Sequence, residues 1–141
     1  MTHYLDTSLL VAALTNEAAT ERIQSWLSEQ SPDDLLISDW VMTEFSAALS
    51  IKGRTGALSG DDRAKALAMF TRLTAETFTV IALSSAHFRT AARFADQHAL
   101  GLRAGDALHL AVVRESGATL CTLDRKLAES GMALGVATLS P

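Results

Sequence analysis

The fold is decided by the stretch Thr2-His3-Tyr4-Leu5-Asp6-Thr7-Ser8, which predicts a short buried strand running directly into a helix. Tyr4 favours a strand, and Thr7 or Ser8 is suited to cap the helix that follows. Asp6 is a poor strand former and falls at the carboxyl end of the strand, the edge where open α/β sheets bind ligands. Taken alone, Asp6 is also explained as a plain helix cap. Its meaning therefore depends on whether the same placement recurs along the chain.

The bulk composition favours one helix-rich globular domain covering residues 1–141. The chain is 48% hydrophobic and 20% charged, which argues against disorder. Its single cysteine, Cys121, lies in an apolar run and has no partner for an internal disulfide, as expected in a reducing cytoplasm. We find no signal-peptide pattern and no apolar run of membrane-spanning length, so we expect a cytoplasmic protein with no membrane partner.

The net charge of −4 argues against a general nucleic-acid coat, which would carry a cationic excess. It leaves a nuclease open, because clustered carboxylates lower the net charge while the cations they bind reverse the local field.

Strand-like and helix-like segments alternate along the whole chain. After the first strand and helix, predicted strands cover residues 35–37, 78–83, 119–123 and 136–139, and predicted helices cover residues 18–29, 40–52, 62–77, 85–99, 103–116 and 125–129. Ser38 is one candidate cap for the helix beginning at Trp40. Parallel strands need right-handed crossover connections. The pattern therefore predicts a three-layer α/β/α domain around a central, mainly parallel sheet of four to five strands.

Three further acids fall where they would meet Asp6. Asp124 follows the predicted strand 119–123, Asp106 lies in the first turn of a helix, and Glu44 lies one turn into another. Four neighbouring carboxylates raise one another's pKa unless protons or cations relieve the repulsion. Oxygen ligands of this kind suit Mg²⁺ or Mn²⁺. The predicted chemistry is hydrolysis of a phosphodiester by metal-activated water.

Several polar side chains are placed to support these acids. Thr7, Ser8 and Thr122 are candidates to hydrogen-bond the carboxylates or their waters. His109, three residues after Asp106 on the same helix, either packs in the core or supports Asp106. The scattered histidines and the lone cysteine do not form a zinc-binding pattern.

Four stretches together resemble the acidic motifs of the PIN-domain ribonucleases, and among these most closely the VapC toxins of bacterial and archaeal toxin-antitoxin pairs. They are residues 4–8, residues 38–49 with Glu44, residues 105–111 and residues 122–127. The resemblance covers nearly the whole chain in the expected order and implies a single PIN-like domain.

The resemblance further implies that Asp6, Glu44, Asp106 and Asp124 are catalytic, bind Mg²⁺ or Mn²⁺, and cut RNA as an endonuclease. It implies a homodimer and a cognate VapB-like antitoxin, whose tail occupies the active-site groove and whose other end binds operator DNA. The acidic balance of the chain leaves the RNA groove to a few basic residues: Lys52, Arg54, Arg103, Arg125 and Lys126.

Two other functions stay open from the residues. One is an interaction module whose acids bind metal without catalysis. The other is phosphoryl transfer through a phosphorylated Asp6, although no second acid lies near Asp6 in the sequence to support that chemistry. Nucleotide binding is disfavoured because no glycine-rich loop follows any predicted strand.

Overall fold

Strands and helices alternate from end to end in the computed structural model, which describes residues 1–141. The strands are β1 (His3–Leu5), β2 (Leu35–Ser38), β3 (Thr79–Ile81), β4 (Thr119–Cys121) and β5 (Thr138–Leu139). The helices are α1 (Thr7–Leu14), α2 (Thr20–Ser28), α3 (Asp39–Arg54), α4 (Gly60–Glu76), α5 (Ser85–Ala95), α6 (Ala104–Ser116) and α7 (Arg125–Ala133). This α/β architecture confirms the predicted fold class.

All five strands pair in parallel, in the order β3-β2-β1-β4-β5. At the centre, His3 of β1 lies opposite Leu35 of β2 on one side and Thr119 of β4 on the other. The chain builds outward from β1 in one direction and later returns to build in the other. Because crossovers are right-handed, the helices before and after β3 cover opposite faces of the sheet. The reversal leaves a crevice at the carboxyl ends of β1 and β4.

The core is formed by the central strands and by α1 and α6. Every residue of β1 is buried, and α6 is buried continuously from Ala107 to Val113. The buried middle of α6 anchors the helix, and its less buried first turn lines the cleft described below. None of the helices combines the length and apolar character needed to cross a bilayer.

Several boundaries differ from those expected from sequence. The predicted helix 85–99 ends at Ala95, and a short 3-10 turn, His98–Leu100, stops at Gly101 with a left-handed φ of 60°. Strand β3 and strand β5 are shorter than predicted, and α7 extends beyond residue 129 to Ala133.

The cap of α1 is Asp6, one of the two alternatives offered by the sequence, and not Thr7 or Ser8. Asp6 itself is the N-cap, because its side chain accepts a hydrogen bond from the backbone N–H of Leu9. The hydroxyls of Thr7 and Ser8 are therefore free to bond to acidic side chains.

Candidate active site

Asp6 is a buried carboxylate that joins β1 to β4. Only 3% of the residue is exposed, and its backbone N–H donates to the carbonyl of Cys121 at 3.1 Å. Its Oδ1 accepts hydrogen bonds from Ser8 Oγ at 2.7 Å and from the Leu9 N–H at 3.2 Å, and its Oδ2 accepts one from Thr122 Oγ1 at 2.7 Å. Burial raises the pKa of Asp6, although these hydrogen bonds oppose the rise. Asp6 is thus a helix cap and a desolvated acid at once.

Glu44 points one oxygen into a hydrogen-bonded support and leaves the other free. Its Oε1 accepts a hydrogen bond from Thr7 Oγ1 at 2.7 Å and is also bonded to Nε2 of His109. Its Oε2 faces α6, so closely that a Cβ placed on Gly105 would lie 3.0 Å from it. Burial raises the pKa of Glu44, but the hydrogen bond and charge of His109, together with the hydrogen bonds of Thr7 and Trp40, outweigh it and lower the pKa. Glu44 is therefore ionised at neutral pH.

The side chain of Asp106 accepts no hydrogen bond from the protein that would lower its pKa. Burial, followed by the negative charge of Asp124, raises the pKa of Asp106, and Glu44 adds to the effect. His109 and Arg103 act in the opposite direction. The three acids are therefore within electrostatic reach of one another, and their mutual repulsion is only partly relieved by the protein.

A cleft of about 440 Å³ opens between α3, the first turn of α6 and the start of α7. Asp124 stands at its rim as the N-cap of α7, with Oδ1 accepting the N–H of Leu127 at 3.1 Å. The cleft is strongly polar and is lined by Trp40, Glu44, Arg103, Gly105, Asp106, Asp124 and Lys126.

Two threonines connect Asp6 to the acids of the cleft, Thr122 through its hydroxyl and Thr7 as the next residue in the sequence. Thr122 Oγ1 donates to Asp6 and accepts the backbone N–H of Asp124 at 2.9 Å. Thr7, the residue after Asp6, donates to Glu44. The four acids proposed from sequence thus converge on one region at the carboxyl edge of the sheet, with three of them lining the cleft and Asp6 buried behind it.

His109 packs in the core, as one of its two expected roles predicted, and the acid it contacts is not Asp106. It is 2% exposed and bonds to Glu44 rather than to Asp106. Its other nitrogen, Nδ1, lies 2.8 Å from the hydroxyl of Tyr4, which lies 2.8 Å from Oγ of Ser38. Sequence reasoning assigned Tyr4 only to the strand and Ser38 to a cap, yet the Ser38 side chain makes no capping bond. The signal was a tyrosine in a buried strand, whose hydroxyl needs a partner.

The basic residues proposed to bind RNA divide into two groups. Arg103 and Lys126 line the cleft, whereas Arg125 is exposed at the start of α7 outside its lining. Arg54 lies along α3 about 15 Å from Glu44, at roughly 1.5 Å per residue, and is not part of the cleft lining, so its contact with RNA stays a prediction. Lys52 forms an ion pair with Glu17 at 2.9 Å.

The donor set suits a hydrated divalent cation better than a fully enclosed ion. No three acidic, histidine or cysteine side chains converge closely enough to grip a metal together. Mg²⁺, however, keeps several of its waters and needs only one or two direct carboxylates. The free Oε2 of Glu44 and the partly exposed carboxylate of Asp106 meet that requirement.

A parallel α/β sheet with acids gathered at the carboxyl ends of β1 and β4 is the architecture of an α/β domain with an acidic active site. The sequence itself also matches a known family of this kind. The family model of the PIN domain matches residues 3–131, and the chain belongs to that family.

Solved structures with the same fold come from several bacteria. The crystal structure of FitAcB from Neisseria gonorrhoeae matches with a TM-score of 0.75 at 20% identity, covering 99% of this chain and 98% of that one. The VapC20 toxin of Mycobacterium tuberculosis, described as cleaving the sarcin-ricin loop, matches with a TM-score of 0.77 at 19% identity, covering 99% and 100%. VapBC2 from Rickettsia felis, bound to a promoter DNA fragment, matches with a TM-score of 0.67 at 17% identity, covering 99% and 98%. No curated protein sequence matches.

Proposed function

We propose that this chain is a Mg²⁺- or Mn²⁺-dependent endoribonuclease and the toxin of a type II toxin-antitoxin pair. The observation that carries the proposal is the cleft in which Glu44, Asp106 and Asp124 face one another with Arg103 and Lys126 beside them. The mutual repulsion of these carboxylates is only partly relieved by the protein, so they favour binding of a cation. A divalent cation held beside an RNA phosphate can in turn promote hydrolysis of that phosphodiester.

In this proposal each group has a separate task. Asp6, Glu44, Asp106 and Asp124 hold the metal, directly or through water. The metal, when bound, lowers the pKa of water and offsets the charge that develops on the scissile phosphate. Arg103 and Lys126 orient the RNA backbone by contacts to phosphate oxygens. Thr7, Ser8, Thr122 and His109 hold the acids in place by hydrogen bonds.

The partners are proposed from the structural relatives. One relative is a toxin named for cleaving the sarcin-ricin loop, and others are complexes of a toxin with its antitoxin, one of them with promoter DNA. From these relatives we infer a VapB-like antitoxin that binds operator DNA; the resemblance to VapC toxins further implies that the antitoxin's tail occupies the cleft and that the toxin is a homodimer.

Two rivals are less well supported. Asp6 is a poor candidate for phosphorylation, because it is buried and both of its oxygens already accept hydrogen bonds. A silent interaction module does not explain why basic residues share the cleft with the acids.

The test is cleavage of a structured RNA by the purified chain with Mg²⁺ or Mn²⁺, with and without EDTA. We expect cleavage that requires metal, leaves no cyclic phosphate, and is lost in Asp6→Asn and Asp106→Asn. Asp96→Asn, at an exposed acid outside the cleft, is the matched control and should cleave normally. Cleavage that persists in both site variants would contradict the proposal, and a stable phosphate on Asp6 would support phosphoryl transfer instead.

A further inference from the structure

A buried chain of hydrogen bonds runs from the core to the edge of the cleft. It begins at Ser38 Oγ, passes through the Tyr4 hydroxyl and then His109, and ends at Oε1 of Glu44. Ser38 and Tyr4 are 0% exposed and His109 is 2% exposed. The chain links β1, the end of β2, α6 and α3, four elements whose relative positions shape the cleft.

We propose that Tyr4 and Ser38 are positioning residues that fix the ring of His109, so that His109 in turn fixes which oxygen of Glu44 faces the cleft. The inference rests on the proposed nuclease function, because it assigns these residues a role in holding the free Oε2 of Glu44 toward the metal.

The hydrogen-bonding chemistry allows one arrangement for a neutral imidazole. A carboxylate has no hydrogen to donate, so Nε2 of His109 must carry the proton it shares with Glu44. Nδ1 then offers only a lone pair, which the Tyr4 hydroxyl satisfies as donor. With its hydrogen used there, Tyr4 accepts from Ser38. With a neutral ring, each donor orients the next group and the series of donated hydrogen bonds ends at Glu44; a charged ring would reverse the bonds between Nδ1, Tyr4 and Ser38 while keeping the bond to Glu44.

The consequence for the site is geometric. His109 and Thr7 both donate to the same oxygen of Glu44, Oε1. A carboxylate held at one oxygen from two sides cannot rotate freely, so Oε2 stays beside Gly105 at the mouth of the cleft. If the His109 ring were released, Glu44 would keep Thr7 but lose this second restraint.

The hydroxyl of Tyr4 is not needed for packing. The ring lies in the core, and the edge of the His109 ring packs against it with ring centroids 5.7 Å apart. Phenylalanine would fill nearly the same volume, so Tyr4→Phe removes the hydrogen bonds while retaining the core contacts.

The experiment compares Tyr4→Phe with the parent chain in three measurements. In the metal-free protein, ¹⁵N NMR of the histidine rings should show the Nδ1 resonance of His109 moving once its hydroxyl partner is gone. Binding of Mn²⁺ alone, followed by electron paramagnetic resonance, should weaken about fivefold. On RNA, kcat should fall about tenfold while KM changes little, because the phosphate-binding side chains are untouched.

Two further variants make the result decisive. Ser38→Ala breaks the chain one bond further away and should change Mn²⁺ affinity and kcat in the same direction by a smaller factor. Thr20→Val removes a hydroxyl that donates to the Ala12 carbonyl at 2.7 Å, far from the cleft, and is the control for general destabilisation. If Tyr4→Phe leaves the His109 resonance and Mn²⁺ affinity unchanged, or if Thr20→Val lowers kcat equally, the positioning role is wrong.

The outcome is separable from that of the proposed function. If the parent chain does not cleave RNA, the nuclease proposal fails, while the His109 resonance and Mn²⁺ affinity still test the positioning role. If the parent cleaves RNA and Tyr4→Phe matches it in all three measurements, only the positioning role fails.

Discussion

His109 of α6 bonds through Nε2 to Oε1 of Glu44 on α3, joining two helices that are far apart in the sequence. This contact ties a helix whose middle is continuously buried to an acid of the cleft. It also leaves the second oxygen of Glu44 unengaged by His109 and Thr7. The position of Glu44 in the cleft therefore depends on a side chain in the core.

Replacing His109 by glutamine should impair the site more than it impairs the fold. Glutamine keeps one donor but cannot bond both Tyr4 and Glu44 with the geometry of an imidazole ring. We expect Mn²⁺ affinity or kcat to fall about 10- to 100-fold. His98→Gln, at an exposed histidine, is the matched control. Equal activity in the two variants would show that the contact with Glu44 has no role in function.

Gly105→Ala should separate activity from stability. The new Cβ would lie 3.0 Å from Oε2 of Glu44 and 3.1 Å from Nε1 of Trp40, so the carboxylate must shift. Alanine also favours a helix over glycine by up to about 1 kcal/mol, which offsets part of the strain. We expect cleavage to fall at least about tenfold with little change in Tm. Gly60→Ala, where a Cβ meets nothing within 4 Å, should leave cleavage unchanged.

Asp106→Asn should stabilise the metal-free protein while abolishing cleavage. Burial and Asp124 raise the pKa of Asp106, so its ionised form costs stability in the folded state. A raised folded pKa means that the cost is absent below the ordinary value of 3.8 and grows as pH rises through the folded pKa. Calorimetry at neutral pH should show a Tm higher by roughly 2–4 °C. The gain should shrink toward pH 3.8, and a gain independent of pH would contradict this origin.

Divalent metal should stabilise the folded chain by binding at the cleft. At a hundredfold excess of Mg²⁺ or Mn²⁺ over its Kd, stability should increase by about 2.7 kcal/mol, a rise in Tm of roughly 5–10 °C. EDTA should reverse the rise. Asp106→Asn and Glu44→Gln should show little or none of it, and the same rise in either variant would place the metal elsewhere.

The cationic residues should differ in their effect on RNA binding. Arg103→Gln and Lys126→Gln remove charges that line the cleft, so each should weaken binding and lower the slope of log K against log salt concentration by about 0.7. Arg54→Gln, whose charge lies outside the cleft, should change neither quantity. Filter binding of a catalytically inactive variant to RNA, repeated across salt concentrations, measures both. If Arg54→Gln weakens RNA binding as much as Arg103→Gln does, the RNA-binding surface continues along α3 beyond the cleft.

Much of the fold could be predicted because its signals are local. Each element buries one face or both, and this burial leaves a hydrophobic pattern in the sequence. The pattern is a continuous apolar run in residues 35–37 and a helical period in residues 40–52. The parallel pairing then follows from the alternation of strands and helices. Helix ends were predicted less well. The helix expected to reach residue 99 stops at Ala95, because the following turn closes at Gly101 in a left-handed conformation.

The sequence by itself determined that Asp6 and Asp124 would share one edge, since residues at the carboxyl ends of parallel strands share it by topology. Asp106 opens a helix that follows another helix, so this rule alone does not place it there. Only the tertiary structure decided that His109 supports Glu44 rather than its helical neighbour Asp106, and that Arg54 lies away from the cleft. The physical reason is range. Secondary structure depends on neighbours within a few residues, whereas a side-chain hydrogen bond depends on rotamers and on the packing of elements far apart in the chain.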